Sequence, residues 1–171
     1  AIQEIADAVK GNKDVSILIK NPMNPDLGLW GGAVARFLNV GVERERIGLI
    51  HRGFSYFGET KYRNAPMWHL VFEMRSRLPD VPMILDPSPI GGDRKYSQGR
   101  TQAGSDMRYD GFIIESHICP DQALSDAAQQ VTPANLNDIL SRVNWRSDSN
   151  DNPEFLTALE QYGEEIDRRD A

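Results

Sequence analysis

VPMILDPSPIGG, residues 81–92, runs five apolar residues into an acid and a turn that carries two prolines. How this junction reads decides the fold. Val81–Leu85 shows no polar alternation and is too short for a helix, which suits a strand buried on both faces of a parallel sheet. The same signature occurs three more times: VSILI before Lys20, IGLI before His51 and Arg52, and GFII before Glu115. Lys20, His51, Asp86 and Glu115 follow one another at intervals of 31, 35 and 29 residues, about one strand–helix unit each. The chain therefore reads as a βα unit repeated four times.

Helices are expected over 25–40, 64–78 and 133–144, the last with Thr132 as N-cap and Pro133 in its first turn. Residues 93–109 occupy a helix's place but form a poor one, with Gly99 and Gly104 inside and almost no apolar stripe. The start of the chain opens directly in a helical pattern, Ile2, Ile5, Ala6 and Val9, as if cut from a longer protein. After Trp145 the composition changes. Residues 145–152 read as a polar linker, and 153–171 as an acidic helix with Phe155, Leu156, Leu159, Tyr162 and Ile166 on one stripe.

A chain of 171 residues with 40% hydrophobic content supports one main core. Its formal charge is −6, all of it in residues 147–171, which carry 8 acids and 2 bases. A neutral body with an acidic tail offers no footprint for nucleic acid or an anionic membrane. The single cysteine, Cys119, permits no internal disulfide and suits a reducing compartment. With no long apolar run and no signal-peptide pattern, a cytoplasmic location is expected.

Loops after the carboxyl ends of parallel strands build active sites, so four strand ends in register bring Lys20, His51, Arg52, Asp86 and Glu115 to one face. A polar residue at one strand end needs only solvent to explain it. Four together favour a site, and cations beside carboxylates suit a phosphorylated substrate and a divalent metal. The catalytic candidates are Lys20, His51 and Asp86, and the substrate-binding candidates are Lys20, Arg52 and, from the following loop, Arg63. Glu115 and Asp126, eleven residues apart, could hold one metal. His117, two residues past Glu115, points the same way in an extended segment.

The runs KNPMNPDLGLW, IHRGF, KYRNAPMWH, DPSPIGG and ESHICPDQALSDAAQQVTP resemble the second half of 3-deoxy-D-arabino-heptulosonate 7-phosphate (DAHP) synthase. More narrowly they are similar to the bacterial type fused to a chorismate mutase. The resemblance covers 1–144 and implies a (β/α)8 TIM barrel of which about four βα units are present. It also implies condensation of phosphoenolpyruvate with erythrose 4-phosphate, a reaction of the shikimate pathway to aromatic amino acids. Lys20 and Arg52 match the residues that hold phosphoenolpyruvate. Glu115 and Asp126 match two of four ligands to a divalent metal, manganese or similar, while the family's ligand histidine falls at Pro89. Leu159–Ala171 resembles the opening helix of the mutase, so 153–171 is expected to begin such a domain.

With half of the family's site absent, these residues alone are expected to be inactive. Their open sheet edges call for a homo-oligomer or a missing barrel half. The alternative is a degenerate, non-catalytic half-barrel that serves as a binding or assembly module. A 3-deoxy-manno-octulosonate 8-phosphate enzyme ranks lower, because HRGF followed by YRNAP disfavours it.

Overall fold

A computed structural model of the chain describes residues 1–146. In chain order it contains α1 (Ile2–Val9), β1 (Ile17–Lys20), α2 (Leu27–Asn39), β2 (Ile47–His51), α3 (Trp68–Arg77), β3 (Met83–Leu85), α4 (Pro87–Gly91), α5 (Ser97–Asp106), β4 (Gly111–Phe112) and α6 (Pro133–Arg142). The strands form one parallel sheet in the order β1-β2-β3-β4. All four apolar runs are strands, and the architecture is the expected series of four βα units. The expected helix over 153–171 and most of the linker lie outside the described residues.

Burial on both faces holds only at the centre of the sheet. Every residue of β2 is buried. On β1, Leu18 is 50% exposed, and β4 is two half-buried residues long. These are edge strands, each with one neighbour among the described residues.

Register divides the sheet into two faces. Ile17, Ile19, Ile47, Leu49, Met83, Leu85 and Phe112 lie side by side on one of them, with His51 level with Leu85. Trp30, Val34 and Phe37 of α2 and Val71 and Met74 of α3 join Ile17, Ile47, Leu49, Met83 and Leu85 in a single core. Each such side chain contributes about 1.5–3 kcal/mol when fully buried. Leu18, Lys20, Gly48, Ile50 and Ile84 share the other face.

Helix ends follow local chemistry. Asp26 caps α2 by accepting from the Leu29 amide (3.1 Å), and Thr132 caps α6 by accepting from the Asn135 amide (3.1 Å). The helix expected from residue 64 starts instead at Trp68, because Pro66 disfavours helical geometry at Ala65 and Met67 is left-handed (φ 40°).

Two segments differ in kind from the sequence reading. DPSPIGG is neither loop nor plain turn: Pro87 opens the short helix α4 and Gly92, at φ 66°, ends it. The poor helix over 93–109 does form, as a 3-10 turn leading into α5. Its buried side is Ser97, Thr101, Gly104 and Ser105. A Cβ on Gly104 would lie 2.6 Å from both Leu85 Cδ2 and Phe112 Cε1. The missing apolar stripe is therefore a close approach of helix backbone to strand, which large side chains would forbid. Among the described residues no helix is long and apolar enough to cross a membrane.

Candidate functional site

Parallel strands in register place Lys20, Arg52 and Asp86 at adjacent strand ends, and alternation turns all three to the face opposite the helices. Lys20 Nζ donates to Asp86 Oδ2 at 2.7 Å. Asp86 is almost fully enclosed. Burial pushes its carboxyl above the ordinary carboxylate range, and nearby Glu115 adds to this, while Lys20 and Arg52 oppose it. Asp86 Oδ1 and Arg52 Nε are buried without a hydrogen-bond partner. Buried polar atoms are normally paired, so two orphans on groups that act on each other electrostatically suit a ligand that would complete them.

Two asparagines position the arginine. Asn21 Oδ1 accepts from the Arg52 amide (2.7 Å), and its Nδ2 donates to the Gly53 carbonyl (2.7 Å). Asn64 Nδ2 donates to the Arg52 carbonyl at 3.1 Å. Gly53 is left-handed (φ 79°), and a Cβ there would meet Asn64 Cβ at 2.7 Å. The clamp therefore requires glycine after the arginine. Sequence reasoning missed both asparagines, although each stands at the head of a proline turn, in KNP and RNAP.

His51 does not join this group. It faces the core, fully buried, with Nδ1 2.8 Å from the Tyr109 hydroxyl and its ring against Trp68 and Phe54. Burial lowers its pKa to about 3, against an opposing contribution from the Pro66 backbone, so the ring is neutral. The expectation of a catalytic His51 is corrected here: neighbours on a strand point to opposite faces, and Arg52 takes the site side.

Arg63, expected at the substrate, lies instead with the carboxylates expected at the metal. Its Nη1 donates to Asp126 Oδ1 (2.6 Å) and Gln129 Oε1 (3.0 Å), and Gln129 Nε2 donates to Glu115 Oε1 (2.9 Å). Gln129 is buried and ties the two acids into one network. Ser88 Oγ accepts from the Glu115 amide (3.2 Å), which joins α4 to the same cluster. The local signal for Gln129 was the QQVTP run itself: Val131 exchanges backbone hydrogen bonds with Glu115 and His117, fixing the segment beside them. His117 Nδ1 accepts from the Cys119 amide (3.0 Å), within its own loop.

The residues present do not fit the divalent metal that the resemblance implies. Pro89 carries no donor, and both acids are engaged by protein donors. Among the described residues no three His, Cys, Asp or Glu side chains gather to hold an ion.

No family model matches the chain. A curated Wolinella succinogenes protein named 2-dehydro-3-deoxyphosphooctonate aldolase is 30% identical over 157 residues, covering 77% of this chain and 55% of that protein. Among solved structures, a truncated form of DAHP synthase from Thermotoga maritima superposes with a TM-score of 0.68 at 22% identity, covering 81% of this chain and 52% of that one. A second Thermotoga maritima structure, phospho-2-dehydro-3-deoxyheptonate aldolase (DAHP synthase), gives a TM-score of 0.69 at 22% identity over 81% and 40%. The chain spans about half the length of these proteins, and what it shares with the solved structures is their fold.

Proposed function

We propose that this chain forms the phosphoenolpyruvate-binding half of a synthase that joins phosphoenolpyruvate to a phosphorylated aldose. The observation that carries this is the convergence of Lys20 and Arg52 on Asp86, with Arg52 Nε and Asp86 Oδ1 left unpartnered. Lys20 is half exposed while Asp86 is enclosed, so the ammonium can turn from the carboxylate to a ligand. Lys20 and Arg52 are then available to a phosphate and a carboxylate, with the Arg52 guanidinium suited to a forked contact. In the reaction, carbon 3 of the enol attacks the aldehyde carbon, water adds at carbon 2, and phosphate leaves. The part of these residues is to orient and neutralise the enol phosphate.

The resemblance to DAHP synthase favours erythrose 4-phosphate as acceptor. The name of the curated relative favours the octonate branch, with arabinose 5-phosphate, and its 30% identity is the specific observation for that second reading. Calorimetric titration with phosphoenolpyruvate tests the core of the proposal. Saturable binding is expected, weakened about tenfold or more by Arg52→Ala or Lys20→Ala, the scale of one lost charge-assisted contact. A flat titration of the unaltered chain overturns it. Assays with erythrose 4-phosphate against arabinose 5-phosphate separate the two acceptors. Binding without turnover of either supports an assembly or binding module.

A further inference from the structure

We propose that Arg63 replaces the metal: its guanidinium serves as a fixed internal cation for the acids Glu115 and Asp126, so that the site no longer takes a divalent ion. The inference rests on the reading of this face as a sugar-phosphate synthase site.

Three observations converge on it. The ligand position in DPSPIGG is Pro89, buried within α4 and without a donor atom. Both remaining acids are bound by protein groups, Asp126 directly by Arg63 and Glu115 through Gln129, which also accepts from Arg63. The fold leaves room for this at one defined place. A Cβ on Gly92 would lie 2.6 Å from Arg63 Cβ and 3.3 Å from its Cδ, so the stem of Arg63 passes over a glycine that nothing larger could replace. Gly92 is also left-handed (φ 66°), which makes any side chain there doubly unfavourable.

The chemistry agrees with the geometry. A divalent ion needs several donors in a fixed cage, and two carboxylates already accepting from amide and guanidinium must lose those bonds to bind it. Arg63 is half exposed, so its pairing with Asp126 is modest in strength. Its effect comes from geometry: Nη1 alone donates to both Asp126 and the buried Gln129, and Gln129 passes the constraint on to Glu115. Asp126 is held at φ 50°, with its carbonyl accepting from the Gln129 amide (3.0 Å), so both ends of the network are fixed.

Manganese titration, followed by the electron paramagnetic resonance of the free ion, tests this on four proteins: the unaltered chain, Pro89→His, Arg63→Met and the double variant. The first three are expected to show no saturable binding. The double variant, with three donors restored and the cation removed, is expected to bind at least about tenfold more tightly than either single variant, the scale on which neighbouring groups tune metal sites. Saturable binding by the unaltered chain overturns the proposal. So does a Pro89→His variant that binds as well as the double, because Arg63 would then not compete. A double variant that melts cooperatively yet stays flat overturns it too, because the acids would not be a masked pair. If Arg63→Met fails to melt cooperatively, Arg63→Gln takes its place. Phosphoenolpyruvate binding is read separately at Lys20 and Arg52. Its absence together with the expected metal pattern removes the functional reading while leaving the Arg63 network in place.

Discussion

His51 and Arg52 are consecutive residues with opposite fates. His51 enters the face of the sheet covered by helices, where it is fully buried, neutral and fixed by Tyr109 and Trp68. Arg52 enters the other face, where Lys20 and Asp86 meet in a charged pair. One face is dry and closely packed, and the other is half open, with Leu18 50% exposed on it. The same two-residue period that makes the sheet separates the work of stability from the work of binding.

The most forceful way to break this division is to crowd the packed face. Gly104→Leu forces a side chain between Leu85 and Phe112 and should cost about 3 kcal/mol or more, read as a fall in denaturation midpoint. Gly99, in the same helix, has nothing within 4 Å of its Cβ direction. There, Gly99→Ala should stabilise by about 0.5–1 kcal/mol. Equal effects at the two sites would mean that α5 does not lie on the strands as described.

Acid provides the next test. His51 has a folded pKa near 3, below its unfolded value of 6.5, so the unfolded chain binds more protons between those limits. Stability is therefore complete above pH 6.5 and falls as the pH drops toward 3, by up to about 1.4 kcal/mol per unit from this group. Denaturant melts between pH 7 and 5 should show the loss, and His51→Phe should flatten it. An unchanged slope would place His51 in contact with water, on the open side of the comparison.

The smallest expected effect lies on that open side. Leu18→Thr should change stability by less than about 0.5 kcal/mol, since half of the side chain already meets solvent. A larger loss that grows with protein concentration would show a second copy covering this face. The expected oligomer would then have its first support.

Much of the fold was legible because local chemistry and the sheet agreed. Three of the four apolar runs stop within one residue of their strand's end, GFII outruns its strand by two, and Thr132 caps the helix it was expected to cap. The clustering of Lys20, Arg52 and Asp86 was legible for the same reason: neighbouring parallel strands end level with one another. His51 was misplaced because identity and spacing show that a residue stands at a strand end but not which face it takes. Alternation settles that only after the register of the neighbouring strands is known. The pairing of Arg63 with Asp126 spans 63 residues, and no local pattern encodes a contact of that range.

By itself, then, the sequence determined the βα repeat and the strand-end cluster, because apolar run length, turn residues and helix caps act over a few neighbours. Tertiary structure alone decided which face each titratable group meets, why α5 is built from small residues, and that DPSPIGG folds as a capped helical turn whose last glycine makes room for Arg63. Those outcomes depend on ångström-scale approaches between segments far apart in the chain, where the presence or absence of one Cβ is enough to choose.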